Sequence, residues 1–205
     1  MNDNFALFNE PRRPWIDPDS LKQKFLALSA QVHPDRVHQA PETERKAASQ
    51  RFSEFNAAYN CLREPKERVR HLLELELGAK PADIQRVPAE MMASLFEVGR
   101  LCHEVDLFLA DNAKVVSPIL KVQQFERGQE WTEKLNALQQ KIGSRREELL
   151  VELKAMNPIW ESAATVSAPD RELPLKRLDE IYRLLGYLTR WSAQIQERIV
   201  QLSFG

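Results

Sequence analysis

Proline decides where helices can run in this chain. Twelve prolines stand against six glycines, and the prolines cluster at the edges of stretches whose apolar residues recur every three or four positions. A pyrrolidine ring fixes φ and removes an N–H, so it suits the first turn of a helix and disrupts the interior. With few β-branched runs and few glycine turns, the pattern predicts an all-α chain rather than a sheet protein. In "WIDPDSLKQKFLALSAQV", Asp17 is placed to cap a helix that Pro18 begins. Its apolar residues Leu21, Phe25, Leu28 and Val32 form one stripe. The residue before a proline is pushed out of the α region, so this helix should stop at His33, ahead of Pro34. A second helix restarts near Pro41 with Ala48, Phe52, Phe55, Tyr59 and Leu62 at the same spacing, until Pro65 breaks it. A short third helix in "KERVRHLLELEL" should stop at Gly78.

Two amphipathic helices on a short connection pack antiparallel, which puts residues 33–40 at one exposed end. The "HPDR" corner there sets an imidazole, a carboxylate and a guanidinium around a stiff proline. Such a bend loses little entropy on docking and suits recognition of a cationic or hydrogen-bonding partner. The structural alternative is a helix C-cap followed by a solvated turn.

Past a linker, 79–88, the stripes lengthen. One runs Met91, Met92, Leu95, Val98, Leu101, Val105, Phe108, and a second runs Trp131, Leu135, Leu138, Ile142, Leu149, Leu153, Met156. Asn157–Pro158 should end the second, and "ESAATVSAPDRELP" reads as an irregular insertion. Heptad-like spacing from Leu178 to Leu202 completes three long helices. The expected division is therefore 1–78, the linker 79–88, and a helical bundle at 89–205.

Charge excludes several functions. The net charge is −1 from 29 basic and 30 acidic residues, so no global field favours nucleic acid or an anionic membrane. No apolar run approaches the roughly 20 residues that span a bilayer. Cys61 and Cys102 form no CxxC pair, which fits a reducing compartment; the expected address is the cytoplasm. Adjacent Cys102 and His103 point about 100° apart on a helix and make no metal site. No nucleophile, oxyanion site or phosphate loop supports an enzyme, and no cofactor is expected.

The residues from Leu21 to Leu77, with "HPDR" in the loop and "FNAAYNCLREPKERVRHLLEL" behind it, resemble the J domain of DnaJ-type co-chaperones. The resemblance implies docking on a DnaK-type ATPase chaperone through His33, Pro34, Asp35 and Arg36, with Lys22 and Lys24 on the adjoining helix. Asp35 is then the expected partner of a chaperone arginine. In many J domains the end of that helix is basic; here it reads "LALSAQV".

The remainder, with "MMASLFEVGRLCHEVD", "PIWESAA" and "YRLLGYLTRWSAQIQERI", resembles the HscB family. Those J proteins deliver the iron-sulfur scaffold IscU to the chaperone HscA. The resemblance implies a client patch at Met91, Met92 and Leu95, with Tyr187 at the aromatic place. It also places Phe96, Gly99 and His103 where the family carries carboxylates. Two alternatives stand beside this reading: a J-type adaptor for a different client, and a structural helical protein that dimerises through its heptads.

Overall fold

Asp17 begins the first long helix as its type and position suggest, its carboxylate accepting the N–H of Ser20 at 2.8 Å with Pro18 in the first turn. The computed structural model describes residues 2–33, 40–81, 87–163 and 169–204. Within them seven α-helices follow in order: α1 (Asn4–Leu7), α2 (Pro18–Gln31), α3 (Glu42–Arg63), α4 (Pro65–Leu77), α5 (Met92–Asn112), α6 (Pro118–Ala163) and α7 (Pro169–Phe204). A 3₁₀ turn, Ala89–Met91, leads into α5. The protein is all-α, and none of the described helices is long and apolar enough to cross a membrane.

Two compact units divide the chain. One holds Met1–Ala82 with Leu150–Tyr182, and the other holds Asp83–Leu149 with Arg183–Gly205. In the first, α2 and α3 pair as a hairpin in which Phe25 stacks on Tyr59 at 4.2 Å, while Phe8 of the N-terminal arm meets Phe55 of α3 edge-on at 6.0 Å.

Glu64, held extended before Pro65, is the one-residue corner between α3 and α4. One turn beyond, Arg68 is 3% exposed. Its Nε donates to the carbonyl of Pro14 at 2.9 Å and its Nη1 to the carbonyl of Leu62 at 2.6 Å. The second acceptor is one of the carbonyls left without an intrahelical partner at the end of α3. Burial lowers the Arg68 pKa to about 10, which leaves the cation intact at neutral pH. Helix α4 then closes at Gly78, whose left-handed φ of 70° lets its N–H bond the carbonyl of Glu74 at 3.0 Å.

The N-terminal arm is held along this unit by long-range bonds. The backbone N–H of Asn4 donates to Nε2 of His71 at 3.0 Å, and Phe5 stacks on the same imidazole at 5.8 Å. Trp15 exchanges two bonds with the Asn157 amide, N–H to Oδ1 at 3.0 Å and Nδ2 to the carbonyl at 2.9 Å. Its ring lies under Lys154, 4.6 Å from Nζ. This corrects the expectation that α6 ends at Asn157–Pro158. The helix runs through Pro158 to Ala163, where the ring removes one hydrogen bond while Trp160, two residues on, is buried. Part of the expected insertion is helical too, because α7 starts at Pro169 and contains Pro174; residues 164–168 lie outside the described residues.

In the second unit α5, α6 and α7 bury Val98, Val105, Leu135, Ile142, Leu188 and Ile195. Between facing elements, Arg198 pairs with Asp106 at 2.8 Å, Arg145 with Glu90 at 2.9 Å, and Gln139 donates to Ser192 at 2.7 Å.

Removing the Arg68 guanidinium strands two carbonyls, so Arg68→Ala is expected to cost about 3 kcal/mol, measured as a lower urea midpoint at unchanged slope. A second expectation concerns pH. Burial holds the His71 pKa below its ordinary 6.5, so the unfolded chain takes up the proton first. The stability contributed by neutral His71 is whole above 6.5 and declines as pH falls below that value. Urea midpoints between about pH 7 and about pH 5 should therefore fall more steeply for the wild type than for His71→Gln.

Candidate functional site

The corner between α2 and α3 is built from a helix end and a proline-led restart. Helix α2 finishes at Gln31 with Val32 as its C-cap and has no basic residue in its last turn. Its terminal carbonyls therefore keep their partial negative charge uncompensated from within the helix. Helix α3 starts after Pro41 with Glu42 and Glu44 in its first turn, and Lys46 is bound to Glu42 at 2.6 Å. The end of α2 thus offers carbonyl acceptors, beside a start of α3 whose acids Glu42 and Glu44 are balanced by Arg45 and Lys46.

His33 is half-exposed, and its ring stands edge-on to Phe52 at 5.3 Å and 81°. This contact fixes the imidazole against α3 at the mouth of the corner. Pro34, Asp35 and Arg36 lie outside the described residues. The two lysines differ in their surroundings. Lys22 is exposed, whereas Lys24 is half-buried and its Nζ binds Oε1 of Glu10. Glu10 is itself buried and takes a second bond from Arg13 at 3.1 Å. Lys24 therefore serves the fold by neutralising a buried carboxylate.

Sequence reasoning passed over Leu26. It lies off the Leu21–Phe25–Leu28–Val32 stripe and is 56% exposed on the outer side of α2, one turn from Lys22. An apolar residue outside a helix's own stripe was the available signal.

The second unit holds the other residues. Met91 is buried in the 3₁₀ turn, Met92 is at the surface and Leu95 is half-buried. Tyr187 is buried, tilted against Trp191 at 5.7 Å with the Arg190 guanidinium 4.7 Å from its ring. Met92 and Leu95 thus reach solvent, and Phe96, 68% exposed, widens their apolar face. The neighbouring acids are engaged. Glu97 binds Lys141, and Glu104 accepts from Arg100 at 3.1 Å. These residues line a cleft of about 450 Å³ with Trp131 and Lys134. Burial pushes the Cys102 thiol pKa up while His103 is exposed, so the two diverge as their spacing requires. Among the described residues no three metal-ligating side chains converge.

Residues 13–71 match the DnaJ domain model. Among curated proteins, the co-chaperone protein HscB homolog of Bordetella pertussis is 44% identical over 73 residues, 36% of this chain and 43% of that protein. The homolog of Paraburkholderia phymatum is 40% identical over 84 residues, 39% of this chain and 48% of that protein. The matched stretch spans about half the length of these curated relatives. Among solved structures, chaperone HscB from Vibrio cholerae superposes with a TM-score of 0.64 at 21% identity, over 98% of this chain and 99% of that one. Human co-chaperone protein HscB gives 0.60 at 19% identity, over 96% and 81%. The DnaJ domain match thus lies in the first unit, and likeness of fold extends over nearly the whole chain.

The difference between the lysines is measurable. Lys24→Ala leaves buried Glu10 with one cation fewer and should lower stability by about 1–3 kcal/mol, whereas Lys22→Ala should leave the thermal midpoint unchanged.

Proposed function

We propose that this chain is a J-domain protein of the HscB family and a non-enzymatic co-chaperone in iron-sulfur cluster assembly. Its His33–Pro34–Asp35 corner docks on a DnaK/HscA-type ATPase and accelerates hydrolysis, and its second unit delivers the scaffold IscU. The observation that carries this reading is the hairpin itself. Two helices zipped by Phe25 and Tyr59 hold His33 against Phe52 beside a helix C-terminus that lacks cations of its own, inside the segment that matches the DnaJ domain model.

The chemistry required of such a corner is recognition, not bond breaking. A bend that binds the hydrolysing state of the ATPase more tightly than the resting state shifts the chaperone toward hydrolysis, by as much as the difference in affinity. The negative end of α2 and the Asp35 carboxylate together suit a chaperone arginine. Exposed Lys22 and, by its place in the sequence, Arg36 supply cations, and such charges govern the rate of encounter more than final affinity. Carrying the client on the same chain raises its effective concentration at the chaperone, so delivery and hydrolysis become coupled.

The client surface of this reading is the apolar face of Met92, Leu95 and Phe96, with Met91 beneath it. Methionine suits adaptable contacts. Glu97 and Glu104 are paired with cations of their own chain, which favours a partner recognised by apolar contact over one steered by free acids. That same observation supports the second reading, a J-type adaptor whose client is a protein other than IscU.

One experiment separates the two. In single-turnover ATPase assays with an HscA-type chaperone, the wild-type chain should stimulate hydrolysis, and His33→Gln should lose about tenfold, equivalent to 1.4 kcal/mol. Equal stimulation by the variant defeats the co-chaperone reading. In the same preparation, IscU should bind and Phe96→Ala should weaken it by about tenfold. Stimulation without IscU binding leaves the adaptor reading standing.

A further inference from the structure

Glycine is the poorest helix former after proline, because it gives up the most backbone freedom and adds no side chain to pack. A glycine in the middle of a helix therefore calls for a reason in its surroundings. Gly99 stands inside α5, exposed to solvent, and the helix runs unbroken through it. No left-handed φ requires it there. No close approach within the chain requires it either: beyond its chain neighbours and the helix's own backbone, a Cβ added at Gly99 would meet nothing within 4 Å.

The residues around Gly99 form a face turned away from the core. Val98, Leu101, Cys102, Val105 and Phe108 are buried and define the inward side of α5. At about 100° per residue, Met92, Phe96, His103 and Leu107 share with Gly99 an arc of about 80° on the outward side. All are exposed, Phe96 to 68% and Leu107 to 55%. Phe96 lies one turn before Gly99 and His103 one turn after, so the missing side chain leaves a notch between two rings, floored by helix backbone.

The charges beside this face are closed onto their own chain. Glu97 binds Lys141, Glu104 accepts from Arg100 at 3.1 Å, and Asp106 pairs with Arg198 at 2.8 Å. A charged group entering the notch would give up water without meeting a free counter-charge. An apolar side chain gains contact with both rings as it leaves water.

Taking α5 as the client surface, a reading on which this step rests, we infer that Gly99 is a specificity-determining residue. The notch between Phe96 and His103 receives one bulky apolar side chain projecting from the client, IscU in that reading. Glycine suits the position because a partner, and not this chain, occupies the space its side chain would take.

Stability and binding are then set against each other by one methyl group. In the full chain Gly99→Ala improves helix propensity at an open position and should raise the thermal midpoint by about 2–4 °C. The same methyl fills the notch and should weaken IscU binding by about tenfold in titration calorimetry. Gly143→Ala is the control. Gly143 lies inside α6, half-buried, where an added Cβ likewise meets nothing within 4 Å, so this variant should gain a similar midpoint shift and bind IscU as the wild type does. Unchanged IscU affinity in Gly99→Ala overturns the notch and leaves the client reading intact. Equal weakening by both variants overturns it too, because a stiffer helix rather than a filled notch would then be the cause. A wild type that binds no IscU defeats the reading itself, and the notch falls with it.

Discussion

The first unit depends on one buried cation. Arg68 joins the carbonyl at the end of α3 to the carbonyl of Pro14 in the N-terminal arm, so one side chain ties three segments that share no local hydrogen-bonding pattern. A guanidinium suits this task because its fork reaches two acceptors in different directions. Its charge is matched by carbonyl dipoles at a helix C-terminus and by the nearby Glu64 carboxylate. Without that joint the angle between α3 and α4 would rest on the one-residue corner at Glu64, and the arm would lose its central anchor.

The arm matters because it braces the hairpin that presents the corner. Phe8 packs edge-on to Phe55 of α3, Glu10 holds Lys24 of α2, and Asn4 is bonded to His71 of α4. Each contact engages a different helix, so the arm couples the three into one body. His33, at the mouth of the corner, shares in this coupling: it rests on Phe52, and Phe52 belongs to a helix held at its far end by Arg68. A bend that acts by being pre-shaped needs such support, since any freedom left in it must be surrendered on docking.

Local rules made the helical frame legible. Asp17 with Pro18, Pro65 and Gly78 mark helix limits through effects confined to one turn of chain. The "LREPKER" run announced the break between α3 and α4, although Arg68's role in it depends on Pro14, far away in the sequence. What local rules missed was settled by distant partners. Pro158 and Pro174 lie inside helices because one lost hydrogen bond weighs less than burying Trp160 and Leu178, two and four residues further on. Lys24 reads as a surface cation until Glu10 is placed beneath it. Tyr187 reads as a surface aromatic until its ring is seen buried beside Trp191. For Lys24 the partner, Glu10, lies in an N-terminal arm with no periodicity of its own, so no short window along the chain contains both halves of the interaction.

The two units also differ in how salt should affect recognition. Around the corner the described features are a helix end, acids and a few cations, forces that act at a distance and fade once separation exceeds a Debye length. On α5 and at the start of α6 the exposed features are Met92, Phe96, Ile119, Val122 and Phe125, whose association grows with the area removed from water and is little weakened by salt. The ion pairs flanking α5 are closed within the chain, so they exclude mismatched charges more than they attract matched ones. In a chain with almost no net charge, a change in ionic strength therefore acts on the charges around the corner and leaves the exposed apolar side chains of the second unit little affected.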